Sequence, residues 1–205
     1  MNEKLKSQLN LSSGFVLMAF PVVLLIDDLY PSDVLPVKFM VGLCAAWFIG
    51  ATIIALARLL WTYRPRAVIA AGALALAGIF GSVGIMVFRF VTQTIRQTEG
   101  AIGNLALFES AIGKTQPFIF TSGLITALVL CFLAGMLLRF ETKAKWAWAV
   151  VCLGALLFPA GRIFLGTTVV LLSDALLLVG LGYVGWQMLF SKQDMLPEES
   201  YNSAA

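Results

Sequence analysis

Between Arg66 and Arg89 the chain carries no charged residue, and the same holds between Lys38 and Arg58 and between Lys114 and Arg139. A helix needs about 20 mainly apolar residues to cross the roughly 30 Å hydrocarbon layer of a bilayer. Each of these runs is long enough. Three further apolar stretches have similar reach, so the sequence reads as an all-α, polytopic transmembrane helical bundle of about six spans, over 9–29, 39–57, 67–88, 118–138, 146–164 and 169–190. One domain, 1–190, holds them all, and a polar tail, 191–205, follows. The balance of side chains excludes a water-soluble fold. With 60% hydrophobic and 12% charged residues, there is too little polar surface to cover a particle in water.

Lys4 and Lys6 precede a short apolar run, as in a leader peptide, but Asp27-Asp28-Leu29-Tyr30-Pro31 stands where a small-residue cleavage pattern would be. The first span is therefore expected to stay as an anchor. Orientation follows from Lys and Arg, which loops on the cytoplasmic side retain. With both ends inside, Lys4, Lys6, Arg58, Arg64, Arg66, Arg139, Lys143, Lys145 and Lys192 lie inside, against Lys38, Arg89, Arg96, Lys114 and Arg162 outside. Trp61, Tyr63, Trp146 and Trp148 flank the basic turns, where amphipathic rings favour the interface. The expected location is the cytoplasmic membrane of a prokaryote.

Lipid gives helices little reason to hide apolar surface from one another, so close backbone approach through small residues drives their association. Ala73, Ala77 and Gly81 recur every four residues and form the expected packing face of the third span. Gly180, Gly182 and Gly185 are expected to serve the sixth in the same way. Besides the bilayer, a membrane-protein partner or a second copy of the chain suits such a stripe. Charge spread over several loops does not suit nucleic acid.

Two charges inside apolar runs are the sharpest functional candidates, because a charge in hydrocarbon costs at least about 2.5 to 3.5 kcal/mol. Arg162 sits near the outer end of the fifth span and Asp174 about one and a half turns into the sixth. Across the short Gly166-Thr167-Thr168 connection they reach similar depth and are expected to pair, as a structural lock or as part of a transport path. A second candidate is the outer segment 89–116. Its Phe88, Val91 and Ile95 take one helical face while Arg89, Gln93, Arg96 and Glu99 mark a lid or partner surface on the others, on a helix that continues the third span, lies on the outer leaflet or caps the bundle, or that is a plain connector. Asp27, Asp28 and Asp33 form an acidic outer turn, read chiefly as a solvated loop.

Catalysis finds little support. Histidine is absent, which removes the commonest general base and the usual zinc and haem ligands. Cys44, Cys131 and Cys152 form no C-x-x-C pair and read as small buried apolar side chains, so no metal and no cofactor are expected. Two functional classes remain: a small transporter or channel for a small or amphipathic substrate, or a non-catalytic accessory subunit of a membrane complex.

Overall fold

The computed structural model describes residues 3–29, 35–97, 110, 116–140, 144–161 and 166–190. Among these, six helices form the chain's framework: α1 (Glu3–Leu29), α2 (Leu35–Trp61), α3 (Pro65–Gln97), α4 (Gln116–Phe140), α5 (Lys145–Ala160) and α6 (Thr167–Phe190). No described residue lies in a strand. Four helices carry apolar windows long enough to cross a membrane, over Gln8–Leu29, Val37–Trp61, Pro65–Gln97 and Thr167–Phe190. The other two are apolar as well, and α4 at 25 residues reaches about 37 Å. The chain is a helical bundle of the polytopic membrane kind.

Each helix packs on its neighbours in sequence, and α1 returns to lie along α6, which closes the six into a ring. Inside that ring α2 also touches α4, leaving α3 on the outer side of the pair. The interior is filled by Leu17 and Phe20 from α1, Leu56 and Leu60 from α2, Leu133 from α4, and Leu177 and Leu181 from α6, all nearly or fully buried. Large apolar side chains on the opposite faces stay exposed, Trp47 and Ile54 on α2 among them, as lipid-facing side chains should.

Local chemistry explains the helix limits. Pro65 opens α3, where its missing N–H is no loss. The preceding turn is tight, with the N–H groups of Tyr63 and Arg64 both donating to the Leu60 carbonyl at 3.0 Å. Between α5 and α6 the Gly166 N–H donates to the Gly161 carbonyl at 3.0 Å. Gly166 reaches that geometry at φ +78°, a left-handed conformation that glycine adopts without strain.

Several helices run beyond the expected spans, α1 beginning at Glu3 rather than at 9 and α2 covering Leu35–Trp61 rather than 39–57. Helix α3 does not stop at Phe88 but continues to Gln97, so its 33 residues extend about 50 Å, well beyond the hydrocarbon thickness. Phe90 packs against Phe39 of α2 with the rings tilted by 31° and 4.6 Å between centroids, which gives the extension an apolar contact. The amphipathic outer segment thus begins as the end of a span, and 98–109 and 111–115 lie outside the described residues. Helix α5 is described to Ala160, with Gly161 still in helical conformation at φ -61° and ψ -46°, and the expected end at Phe164 lies outside the described residues.

At one end of the ring the two basic turns meet. Tyr63 stacks on Phe140 at 5.2 Å, and the Arg64 guanidinium lies 5.8 Å from the centre of the same Phe140 ring. Trp146 packs on Tyr183 and Trp186 on Phe190 near the start of α5 and the end of α6. Aromatic rings beside Arg and Lys at one end agree with the interfacial reading of Trp61, Tyr63 and Trp146. Trp148 is a correction: it is 1% exposed and belongs to the interior. The reason is its position on the wheel. Two residues beyond Trp146 it points to the opposite side, in line with Ala144, Val151 and Ala155, all buried.

Candidate functional site

Helix α6 is the element on which the interior is organised. Glycine lets it approach both neighbours. A Cβ at Gly180 would stand 2.5 Å from Val151 Cγ2 and 2.9 Å from the Ala147 carbonyl oxygen of α5. A Cβ at Gly185 would stand 2.6 Å from the Gly14 carbonyl oxygen of α1, whereas one at Gly182 meets nothing within 4 Å. Two of the three glycines singled out in this span therefore create close backbone contact, on different sides. Glycines on α5 answer them: Gly154 faces Leu177, and Gly161 faces the backbone of Val169 and Val170.

This closeness allows Ser173 Oγ to donate to the Gly154 carbonyl at 3.0 Å in a fully buried bond. Ser173→Ala is expected to lower unfolding stability in detergent by about 0.6 kcal/mol, the average for hydrogen bonds between membrane helices. An unchanged unfolding curve would remove this bond from the forces holding α5 to α6.

Asp174 is the next residue, and it is 0% exposed. It shares the buried side of α6 with Val170, Leu177 and Leu181 and lies about 10 Å below the helix start at Thr167. Arg162, expected as its partner, falls outside the described residues, as does Glu99. Arg89 is part of α3, Gln93 is half-buried and Arg96 is exposed near the helix end.

Deeper in the ring lie further polar atoms, Thr52 and Thr126 being two of the few that the sequence places at mid-depth in its apolar runs. Thr52 is 0% exposed in the buried stripe Ala45, Ile49, Thr52, Leu56 of α2, and Thr126 is 2% exposed in the stripe Thr126, Leu130, Leu133, Leu137 of α4. Neither hydroxyl, nor the Trp148 Nε1–H, has a hydrogen-bond partner among the described residues. Counted along their helices, Asp174 and Thr126 lie about 10 and 15 Å from the helix ends away from the basic turns, with Thr52 and Trp148 about 14 and 5 Å from the ends beside those turns. Four helices thus contribute polar groups at successive depths. Towards the basic turns, Arg58 Nη1 donates to Ser13 Oγ at 3.4 Å, while Arg58 Nη2 and Asn10 Oδ1 are buried without a hydrogen-bond partner among the described residues. Arg58 ends an apolar run in the sequence and looks like a loop charge. Only the register of α1 against α2 shows that it leans into the bundle.

The small-residue stripe of α3 turns the other way from expectation. Ala73 and Ala77 are exposed and Gly81 is half-buried, while Val68, Ala71, Ala75 and Gly78 face the bundle. The stripe that packs inside the chain is the adjacent one. It is reached because α3 is small on nearly every side, so its neighbours choose the face.

Among the described residues no group of three or more His, Cys, Asp or Glu side chains is placed to hold a metal ion. No known protein family, curated protein or solved structure matches the chain.

Proposed function

We propose that this protein is a small multi-pass transporter of the cytoplasmic membrane, of prokaryotic type, that carries a small uncharged or amphipathic solute through the centre of its helical ring. One observation carries the reading: buried hydroxyl and indole donors at successive depths on α2, α4 and α5 have no hydrogen-bond partner among the described residues. An unsatisfied buried polar group costs about 1 to 3 kcal/mol, so a solute or water that meets these groups in passing would relieve that cost. Leucine and phenylalanine fill the space between them, which suits an occluded carrier that rocks open better than a standing pore. Few charges face this interior, which disfavours ionic substrates. Asp174, paired with Arg162 from the outer end of the fifth span, would set the outer boundary of the path. Helix α1 starts and α6 finishes at the basic, aromatic end, which the proposal takes as cytoplasmic.

The test is flux in proteoliposomes with glycerol- to urea-sized neutral solutes. Wild type is expected to exceed protein-free vesicles, and the Thr52→Val/Thr126→Val protein to lose about tenfold in rate. That double change is expected to leave stability equal or slightly raised, since it deletes orphaned hydroxyls while keeping shape. Flux no greater than in empty vesicles, or equal flux in the double variant, sinks the proposal.

A second reading rests on a separate observation. The exposed Ala70, Ala73 and Ala77 on α3 offer a smooth face that an accessory subunit would use to dock on a membrane partner or a second copy. Ala73→Leu/Ala77→Leu separates the two. It abolishes a copurifying assembly under the accessory reading and leaves flux intact under the transport reading.

A further inference from the structure

Cys131 and Cys152 lie 21 residues apart in the chain, on different helices, yet the fold places them opposite one another. The Cys152 thiol donates to the Cys131 carbonyl at 3.6 Å, and the Cys131 thiol donates to the Cys152 carbonyl at 3.9 Å. Both cysteines are free and half-buried. Nearby small residues keep the seam between α4 and α5 narrow: a Cβ at Gly135 would stand 3.9 Å from the Cys152 sulfur.

Depth and exposure define what can reach this pair. Cys131 is about 14 Å from the inner end of α4 and Cys152 about 10 Å from the inner start of α5, which places both well within the hydrocarbon layer. Leu128 and Phe132 on α4 and Leu153 and Leu156 on α5 are exposed close by, so the seam opens towards lipid. Water-soluble oxidants and thiols are excluded from that depth. A lipid-soluble electron acceptor is not.

We infer that Cys131 and Cys152 are a redox-convertible dithiol that closes to a disulfide across the α4–α5 seam, with a membrane quinone as the oxidant. Each sulfur lies within about 4 Å of the other cysteine's carbonyl oxygen, so the two side chains face one another across the seam. Two S–H bonds break and one S–S bond forms. The two electrons and two protons released pass to the quinone, which leaves as quinol. The bond staples α4 to α5 and fixes one seam of the ring. Cys44, exposed on α2, takes no part.

The test uses the full chain, reduced, in liposomes under anaerobic conditions with a decyl-benzoquinone whose ring carbons are all substituted, so that addition to the ring is blocked. After denaturation in SDS, free thiols are counted with a polyethylene-glycol maleimide. Wild type is expected to fall from three alkylated thiols to one and to yield one quinol per chain. Cys131→Ser and Cys152→Ser each keep both remaining thiols and yield none, and Cys44→Ser still closes the pair. The proposal is overturned by three thiols surviving quinone treatment, by a covalent quinone adduct, or by a disulfide between two chains. Closure by copper phenanthroline but not by quinone would overturn the assignment of the oxidant.

Discussion

Gly185→Ala is expected to lower the unfolding free energy by about 2 to 3 kcal/mol, while Gly182→Ala, three residues earlier on the same helix, is expected to change it by less than about 0.5 kcal/mol. The contrast comes from what an added methyl would meet. At Gly185 it would stand 2.6 Å from the Gly14 carbonyl oxygen and 2.7 Å from Met18 Cγ; the backbone atom cannot swing aside, so α1 and α6 must separate. At Gly182 it would meet nothing within 4 Å. Helix propensity gives both changes the same small benefit and cannot account for the difference. SDS-induced unfolding in mixed micelles, followed by tryptophan fluorescence, reads it directly. Equal curves for the two variants would mean that α1 and α6 are not in backbone contact at this point.

Asp174→Ala is expected to be the most damaging single loss of a polar group, at about 3 to 5 kcal/mol, the range for breaking a buried ion pair by removing one partner. The carboxylate is 0% exposed in the outer part of a transmembrane helix. The proposed partnership with Arg162 has its own signature. Arg162→Ala alone strands a buried carboxylate, and the double variant relieves that cost, so the two losses should fall short of additivity by more than about 1 kcal/mol. Additive losses would remove Arg162 as the partner and leave Asp174 satisfied by another group. Asp174→Asn should also disturb folding or flux more than Asp33→Asn in the outer turn. Equal tolerance of those two conservative changes would take Asp174 off the list of important residues.

The architecture was legible because lipid imposes a simple demand. Long charge-free runs give helices, short basic connections give hairpins, and an even number of crossings returns both ends to one side. What sequence could not supply was rotation and register. Ala70, Ala71, Ala73, Ala75 and Ala77 all stand in α3, so a stripe every four residues can be drawn on more than one face, and Ala73 and Ala77 turned out to be exposed. Trp148 was expected at the interface with Trp146, although the two point apart. Cys131 and Cys152 carry no local pattern, and their meeting depends on how far α5 is shifted along α4. Arg162–Asp174 was suggested by depth alone, and the described residues place only Asp174, at a fully enclosed site.

The ring closes between its first and last helices. During synthesis the backbone around Gly14 of α1 is made well before its cover, the segment around Gly185, about 170 residues further along the chain. Until then the first helix has only α2 as a lasting neighbour, and its glycine-bearing side faces lipid or whatever insertion factor attends it. A nascent chain stopped before Thr167 would therefore be a five-helix arc with a seam at each end, exposed to capture by quality-control proteases, and arrival of α6 would be the event that closes the ring.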